Sequence, residues 1–328
     1  MARSRGRPTR VFFAADLHGS TPTFRKFVRA ARFYGCDALV FGGDLMGKAL
    51  VPVVRENGVY RARFQGREEA FESDGLPAFE RSVELAGFYT RVLSRDEYAV
   101  ARADPLVRKG MFHELAVARL LEWLALAEDE LAGTGVRMYL AGGNDDEPSV
   151  LETLERHDGE HVAFCEGRVV QIDAAHQMIT VGLSTVTPWD TPREASESEI
   201  AAAIEAEAAG LADPARAVFN LHCPPKDTPI DTCLKLERPS APGELPRPVR
   251  EGGRFVTTGG GSSAVREAIE RYQPVVGLHG HIHESGGRIR IGRTRCFNPG
   301  SEYQQGVLQG VIVSLRDGRL TAFQHTSG

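Results

Sequence analysis

Side chains of the types that bind metal ions follow short apolar runs along the 328-residue chain. They are Asp16, His18, Asp44, Asn144, His222, His281 and His283. Imidazole and carboxylate ligands together suit zinc, iron, manganese or similar ions. These ligands are too many for one tetrahedral ion, but they suit two ions that share a carboxylate. Two metal ions about 3.5–4 Å apart can activate a water and hold both oxygens of an in-line displacement at phosphorus.

The apolar runs before these residues are short and rich in β-branched residues, which is typical of buried or half-buried strands. The runs are Val11–Ala15, Ala38–Phe41, Val136–Leu140, Ala217–Leu221 and Val275–Leu278. In α/β sheets the loops at the carboxyl ends of the strands form the binding crevice. We therefore expect an α/β protein in which five strand ends gather the candidate ligands in one crevice.

The composition is that of a globular protein, with 42% apolar residues, 25% charged residues and a formal net charge of -5. The sequence has no apolar run of about 18 residues, and its arginine-rich N-terminus lacks the apolar core of a secretory signal. Five cysteines at scattered spacings argue against a disulfide framework. We therefore expect a cytoplasmic protein without a membrane partner, and the mildly acidic balance makes nucleic acid an unexpected partner.

The length is compatible with two domains or with one large domain that carries insertions. We predict a disordered basic tail over residues 1–9 and one domain over residues 10–328. Residues 50–134 are too many for a simple crossover, so they are predicted as an insertion with a hairpin at Asn57-Gly58 and a helical cap. The proline-rich stretch 224–255 is predicted as a long loop that shapes the site.

The order of the motifs resembles the calcineurin-like metallophosphoesterase superfamily. The matching segments are Asp16-Leu17-His18, Gly42-Gly43-Asp44, Gly143-Asn144, His222 and Gly280-His281-Ile282-His283. Five ordered blocks over residues 11–300 make the resemblance specific. Within the superfamily, the Gly-Gly-Asn-Asp, His-Cys-Pro-Pro and GGGSSAVREAI segments are most similar to the Icc-related predicted phosphoesterases.

The resemblance implies a four-layer α/β/β/α sandwich of two mixed sheets and a site for two divalent metal ions, with manganese favoured. The implied ligands are, for the first ion, Asp16, His18 and His283, for the second ion, Asn144, His222 and His281, and as the bridge between them, Asp44. A metal-bridging hydroxide would attack the phosphorus of the bound ester.

Asp145 departs from the family pattern, in which a histidine follows Gly-Asn. An ionised carboxylate would repel a dianionic phosphomonoester more than a monoanionic diester, and with a raised pKa it could donate a proton to the leaving oxygen. We predict that Asp145 is a catalytic residue, as a proton donor or a substrate contact, with a helix N-cap as the alternative. The next residue, Asp146, is predicted as a plain N-cap, and Lys48 as a solvated lysine.

These residues predict a dinuclear metal-dependent phosphoesterase that hydrolyses a small phosphodiester or activated phosphoester. A phosphomonoesterase that acts on nucleotides or phosphoproteins is one alternative. Another is a metal-stabilised interaction module with little catalysis, which only Asp145 supports. A nuclease is less favoured, because the sequence does not reveal a basic and aromatic track for a strand. The oligomeric state is not predicted.

Overall fold

The computed structural model describes residues 6–157, 159–239 and 244–328. Over these residues the helices are α1 (Thr21–Tyr34), α2 (Leu76–Leu85), α3 (Arg95–Ala103), α4 (Pro105–Leu131), α5 (Pro148–Glu155), α6 (Glu197–Ala208) and α7 (Ser263–Tyr272). The strands of the first half of the chain are β1 (Thr9–Ala14), β2 (Ala38–Phe41), β3 (Leu50–Glu56), β4 (Val59–Phe64), β5 (Arg67–Phe71), β6 (Tyr89–Ser94), β7 (Arg137–Leu140) and β8 (Val162–Phe164).

The later strands include the rest of the two large sheets and several two- or three-residue pieces. They are β9 (Val170–Asp173), β10 (His176–Val181), β11 (Val218–Leu221), β12 (Thr232–Leu234), β13 (Leu236–Glu237), β14 (Arg247–Pro248), β15 (Arg250–Glu251), β16 (Arg254–Phe255), β17 (Thr257–Gly259), β18 (Val276–Leu278), β19 (Gly287–Ile291), β20 (Thr294–Asn298), β21 (Gln309–Arg316) and β22 (Arg319–Ser327). Short 3-10 helices cover Pro214–Arg216 and Tyr303–Gln305.

The first large sheet has the order β22-β21-β1-β2-β7-β8. Strands β1, β2, β7 and β8 are parallel, whereas β21 and β22 run antiparallel at one edge. Successive side chains of a strand point to opposite faces. Phe12 of β1 therefore packs in the core under α1, α4 and α5, while Phe13 packs in the core between the two large sheets.

The second large sheet has the order β19-β20-β18-β11-β10-β9 and is also mixed. Val218 of β11 faces the first sheet, and Phe219 faces the opposite side, where it packs with Ile200 of α6 and Ile269 of α7. Each large sheet is thus covered by helices on its outer face. This arrangement confirms the predicted four-layer α/β/β/α sandwich.

The segment between β2 and β7 forms a smaller sheet with the order β5-β4-β3-β6, with α2 packed on it. Asn57 and Gly58 join β3 to β4 with φ angles of 50° and 82°, the left-handed conformation that a tight hairpin turn requires. Helix α4 is not a separate cap, because Leu120 and Trp123 are fully buried in the core between it, α1 and the first sheet. It belongs to the outer helical layer instead.

Two other sequence expectations differ from the structure. The predicted basic tail falls outside the described residues over 1–5, but Thr9 already begins β1, so the prediction of disorder through residue 9 is wrong. The proline-rich stretch 224–255 contains short antiparallel ladders rather than a structureless loop: β12 pairs with β17, β13 with β14, and β15 with β16. Within that stretch, residues 240–243 lie outside the described residues. None of the described helices is both long and apolar enough to cross a membrane.

The buried His176 side chain ties the edges of the two large sheets together. Its Nδ1 donates to Asp173 Oδ1 at 2.8 Å at the β9–β10 turn, and its Nε2 accepts from the backbone N–H of Gly318 at 3.0 Å in the β21–β22 turn. Burial acts to raise the pKa of Asp173, but its hydrogen bonds, first among them the one from His176, outweigh burial and lower the pKa to about 2.

Asp173→Asn is expected to make the folded state less stable by about 1–2 kcal/mol at pH 7, because it removes a charge-assisted hydrogen bond. Since the pKa is lowered on folding, the stabilisation is complete above about pH 4 and is lost as pH falls towards 2. Denaturant unfolding of wild type and variant between pH 7 and 3 measures the difference. Exposed Asp74→Asn is the control, and a difference that stays constant with pH would contradict the assignment.

Candidate metal centre

The candidate ligands lie at one end of the two large sheets. From the first sheet, Asp16 follows β1, Asp44 follows β2 and Asn144 follows β7; from the second, His222 follows β11, and His281 and His283 follow β18. These strands are parallel within each sheet, so their carboxyl ends meet at one edge. The structure thus brings together side chains that are up to 267 residues apart in the chain, as the span from Asp16 to His283 shows (283 minus 16).

Four of these residues form a compact cluster: Asp16, His18, Asp44 and His283 each offer one ligand atom, and those atoms lie within 4.8 Å of one another. The two Nε2 atoms of His18 and His283 are 3.0 Å apart. Asp44 Oδ2 lies 3.6 Å from His18 Nε2, and Asp16 Oδ1 lies 3.5 Å from His283 Nε2. This is the set implied for the first ion together with the bridging carboxylate.

The other three candidate ligands lie on the second side of Asp44. His222 Nε2 is 3.0 Å from Asn144 Oδ1 and 3.5 Å from Asp44 Oδ1. The ring of His281 is 5.4 Å from the ring of His222, measured between centroids. His222 and Asn144 therefore contact each other beside Asp44, while His281 faces them across a gap.

The donor set on this side fits a cation. His222 Nδ1 donates to the carbonyl oxygen of Gly42 at 2.8 Å, so a neutral ring presents a lone pair at Nε2. The hydroxyl of Thr191 donates to Glu194 and therefore accepts from Asn144 Nδ2 at 2.9 Å, which leaves Asn144 Oδ1 facing His222. Two lone pairs that face each other across 3.0 Å require a proton or a metal ion between them.

The cluster of Asp16, His18, Asp44 and His283 also requires a proton or a metal ion between facing lone pairs. The nitrogens of His18 and His283 that face each other across 3.0 Å carry lone pairs unless one of them is protonated. His18 is fully buried, and its other ring nitrogen, Nδ1, has no hydrogen-bond partner among the described residues. The buried carboxylates of Asp16 and Asp44 beside these rings also favour a positive charge. Both sides of Asp44 therefore fit a bound cation.

The pKa directions follow from burial and these carboxylates. Burial lowers the pKa of His281 to about 4, and burial also holds the pKa of His18 well below its ordinary value. Burial acts in the same direction on His222, but Asp44 outweighs it and raises the pKa of His222 to about 9. A metal ion at His222 Nε2 would therefore compete with a proton.

Four of the candidate ligands have backbone conformations that are rare for residues other than glycine. Their φ angles are 58° for Asp16, 43° for His18, 57° for Asp44 and 68° for His281. Such conformations cost about 1–3 kcal/mol each and persist only where the surrounding structure holds them. Hydrogen bonds between the loops do so: the N–H of Asp16 donates to Gly43 O at 2.9 Å, and that of His18 to Asp44 O at 3.0 Å.

Two positions must be glycine because the backbone there lies very close to the carboxylates of Asp44 and Asp16. A Cβ on Gly143 would collide with the Asp44 carboxylate and backbone, and a Cβ on Gly280 would lie 2.5 Å from Asp16 Oδ2. The loops after different strands can approach this closely only because no side chain stands between them.

Asp146 is not the helix cap that the sequence predicted. The N-cap of α5 is Glu147, and no side chain caps it. Asp146 is fully buried, and its carboxylate accepts hydrogen bonds from the backbone N–H groups of Gly143 at 2.8 Å, Leu45 at 2.9 Å and Met46 at 2.9 Å. It therefore joins the loop that carries Asp44 to the loop that carries Asn144.

Lys48 is exposed, as the sequence predicted, but it also forms an ion pair that the sequence did not predict, because its Nζ lies 3.1 Å from Asp145 Oδ2. The Asp145 side chain is 16% exposed, and its backbone N–H donates to Asp44 Oδ1 at 2.9 Å. Burial, with Asp44 as the next cause, raises the pKa of Asp145. Asp145 thus lies beside the candidate metal centre, as its motif position suggested, but its charge is paired with a cation.

Sequence reasoning missed two further residues at the centre. The buried ring of Tyr303 packs against the rings of His18 and His283, with centroids 4.8 Å and 5.9 Å away, and holds both histidines in place. Arg193 donates to the carbonyl oxygen of Gly143 at 3.0 Å. The only sequence signal for Tyr303 is its place just after the Asn-Pro-Gly-Ser segment, and we find none for Arg193.

No protein-family model matches the sequence, and no curated protein matches it. Solved structures match its fold. One crystal structure aligns over 98% of both chains with a TM-score of 0.54 at 15% identity, and that of TT1561 from Thermus thermophilus aligns over 98% of both chains with a TM-score of 0.52 at 13% identity. A novel archaeal phosphodiesterase aligns over 98% of this chain and 100% of its own, but with a TM-score of only 0.39 at 12% identity. At these identities the likeness concerns the fold alone. The fold that aligns with the first two structures is the α/β/β/α sandwich that the sequence predicted.

Asp146→Asn is expected to destabilise the fold by about 1–3 kcal/mol, because the amide nitrogen would face a backbone donor that the carboxylate now satisfies. Denaturant unfolding measures the loss, and the metal content of the purified protein should fall with it. Glu152→Gln, on the exposed face of α5, is the matched control. Unchanged stability of Asp146→Asn would show that the two loops do not depend on this carboxylate.

Proposed function

We propose that the chain is a metal-dependent phosphoesterase that binds two divalent ions, with manganese favoured. The observation that carries the proposal is the buried group of facing lone pairs and carboxylates on both sides of Asp44. The residues that would hold the first ion are Asp16, His18, Asp44 and His283, and those that would hold the second are Asp44, Asn144, His222 and His281. Such ions supply Lewis acidity and activation of water.

The residues around the ions would orient and select the substrate. Lys48 and Asp145 form an ion pair beside Asp44, so their charges compensate each other. A dianionic phosphomonoester would gain no free cation from this pair, whereas a monoanionic diester needs none. We therefore favour phosphodiesters as substrates, with Asp145 as a substrate contact.

A phosphomonoesterase is the second candidate, and one observation favours it. The Lys48 side chain is 39% exposed, so its flexible stem has room to turn from Asp145 towards a bound phosphate. The two candidates differ in which partner Lys48 keeps during turnover.

Hydrolysis of bis(p-nitrophenyl) phosphate with added Mn²⁺ tests the proposal. Asp44→Asn and His222→Ala are expected to lower kcat/KM by more than about 100-fold, since even residues outside the ligand set of a metal cost 10–100-fold. The matched controls are Asp74→Asn and His157→Ala, which change the same residue types away from the centre. Equal rates for wild type and for both centre variants would refute a metal-dependent phosphoesterase.

Asp145→Ala tests the substrate preference, because it frees the charge of Lys48. The ratio of kcat/KM for p-nitrophenyl phosphate over bis(p-nitrophenyl) phosphate is expected to rise about tenfold, as one unpaired cation favours the dianion. Asp145→His is expected to shift the ratio in the same direction, and Lys48→Ala is expected not to raise it. Wild-type turnover of the monoester well above that of the diester would instead establish the second candidate.

A further inference from the structure

The segment that follows the last histidine pair is strongly basic. Residues 285–301 contain four arginines and no acidic residue, which gives a charge of +4 in a chain of net charge -5. The arginines are Arg288, Arg290, Arg293 and Arg295. Arg293 is used within the fold, because its guanidinium donates to the carbonyl oxygens of Gln273 and Ala215. Arg290 also donates from its Nε to the carbonyl oxygen of Gly292 at 2.8 Å, but the charges of Arg288, Arg290 and Arg295 need a separate explanation.

These three arginines lie on the β19–β20 hairpin at the edge of the second sheet. Arg290 and Arg295 are directly opposite each other in the ladder, an arrangement of like charges that destabilises a strand pair. Among the residues that the structure describes, none of the three forms an ion pair with an acidic side chain. A bound anion would remove the repulsion.

An aromatic ring from the other large sheet lies among them. The guanidinium carbons of Arg288 and Arg295 are 5.2 Å and 4.9 Å from the ring centroid of Phe323 in β22. These cation–π contacts orient the two planar groups but leave their charges uncompensated. We call Arg288, Arg290, Arg295 and Phe323 the arginine cluster.

A groove lies beside the candidate metal centre and reaches strand β22, which carries Phe323. It is a cavity of about 530 Å³, and its lining includes His283 and Ser301 as well as Gln309 of β21 and His325 of β22. His325 lies two residues after Phe323 in β22, and its buried Nε2 has no hydrogen-bond partner among the described residues. The groove is therefore lined both by a candidate metal ligand and by a β22 residue that neighbours the arginine cluster in sequence.

We propose that the arginine cluster binds a second phosphate of a substrate whose scissile phosphodiester lies at the metal centre, as in a short single-stranded oligonucleotide. The proposal rests on the proposed phosphodiesterase function and names its substrate class. Guanidinium groups bind phosphate in a bidentate manner, and their planes stack on bases. Arg288 is five positions after His283, so their Cα atoms lie within about 18 Å, a distance that a short oligonucleotide can span.

Acidic side chains restrict where such a substrate makes phosphate contacts. Glu284 and Glu302 also line the groove. Their carboxylates accept hydrogen bonds from the backbone N–H of Leu234 at 3.3 Å and from Gln309 Nε2 at 2.9 Å. Phosphate contacts are therefore expected at the metal centre and at the arginine cluster rather than along the groove.

Two dinucleotides that share one scissile bond test the proposal: thymidylyl-thymidine with and without a 5′-phosphate. For wild type with Mn²⁺, the phosphorylated form is expected to have the higher kcat/KM. Arg288→Gln/Arg295→Gln should remove this advantage by raising KM about tenfold, the order of effect expected when hydrogen bonds to a charged group are lost. Turnover of bis(p-nitrophenyl) phosphate and of the unphosphorylated dinucleotide should stay within about twofold.

Arg316→Gln/Arg319→Gln is the matched control, because it removes two arginines at the far end of the β21–β22 hairpin. Arg288→Lys/Arg295→Lys should restore part of the advantage, since it keeps the charges without the planar groups. An equal loss for all substrates, or no loss for the phosphorylated one, would overturn the proposal.

A binding measurement separates this proposal from the proposed function. Calorimetric titration of wild type with a non-hydrolysable phosphorothioate analogue of the phosphorylated dinucleotide should show binding that Arg288→Gln/Arg295→Gln weakens. If no phosphoester is hydrolysed but this difference in binding persists, the proposed hydrolysis fails and the anion site stands. If bis(p-nitrophenyl) phosphate is hydrolysed but the two proteins bind the analogue equally, the anion site fails and the hydrolase stands.

Discussion

The main physical constraint on the structure is the set of buried acceptor atoms at the junction of its two sheets. Asp16 and Asp44 are buried there. Beside them, Nε2 of His18 faces Nε2 of His283, and Nε2 of His222 faces Oδ1 of Asn144, each at 3.0 Å. Removing such groups from water is costly unless each is paired. Protons can meet the requirement only in part, because burial lowers the pKa of His18. Divalent cations would meet it on both sides of Asp44, so the same atoms that would destabilise an empty core form a candidate metal centre.

Holding the acceptors in this arrangement places demands on the backbone. The loops after β1, β2 and β18 contain ligand-type residues in the left-handed conformation, which is unfavourable by itself. Local contacts offset the cost of these left-handed conformations. The carboxylate of Asp146 accepts hydrogen bonds from three backbone N–H groups of two loops. Glycines such as Gly143 let the loops approach each other without a side chain between them. The rigidity of the centre therefore comes from residues that need not touch a substrate.

Sequence patterns predicted the parts of the molecule that local physics controls. Apolar runs that end in polar residues identified the strands and placed Asp16, Asp44 and His222 at one edge, because parallel strands share the direction of their carboxyl ends. The prediction for Asp146 was wrong, and the ion pair of Lys48 was missed, for one reason. Their partners lie in other loops, and Leu45 is 101 residues away from Asp146, so spacing along the chain could not indicate these contacts. The packing of α4 against the first sheet was missed for the same reason, because it depends on contacts with residues that are distant in sequence.

The distribution of charge around the centre would select both the reacting phosphate and the remainder of the substrate. Next to Asp44, Lys48 compensates Asp145, so the immediate surroundings add no net charge to that of the ligands and their ions. At the arginine cluster, Arg288 and Arg295 contact the ring of Phe323 and leave their charges uncompensated. Because screening confines each exposed charge to about 8–10 Å, the two regions act nearly independently on a substrate that reaches both. The reacting phosphate would then be selected for a single negative charge, while the remainder of the substrate would be selected for additional ones.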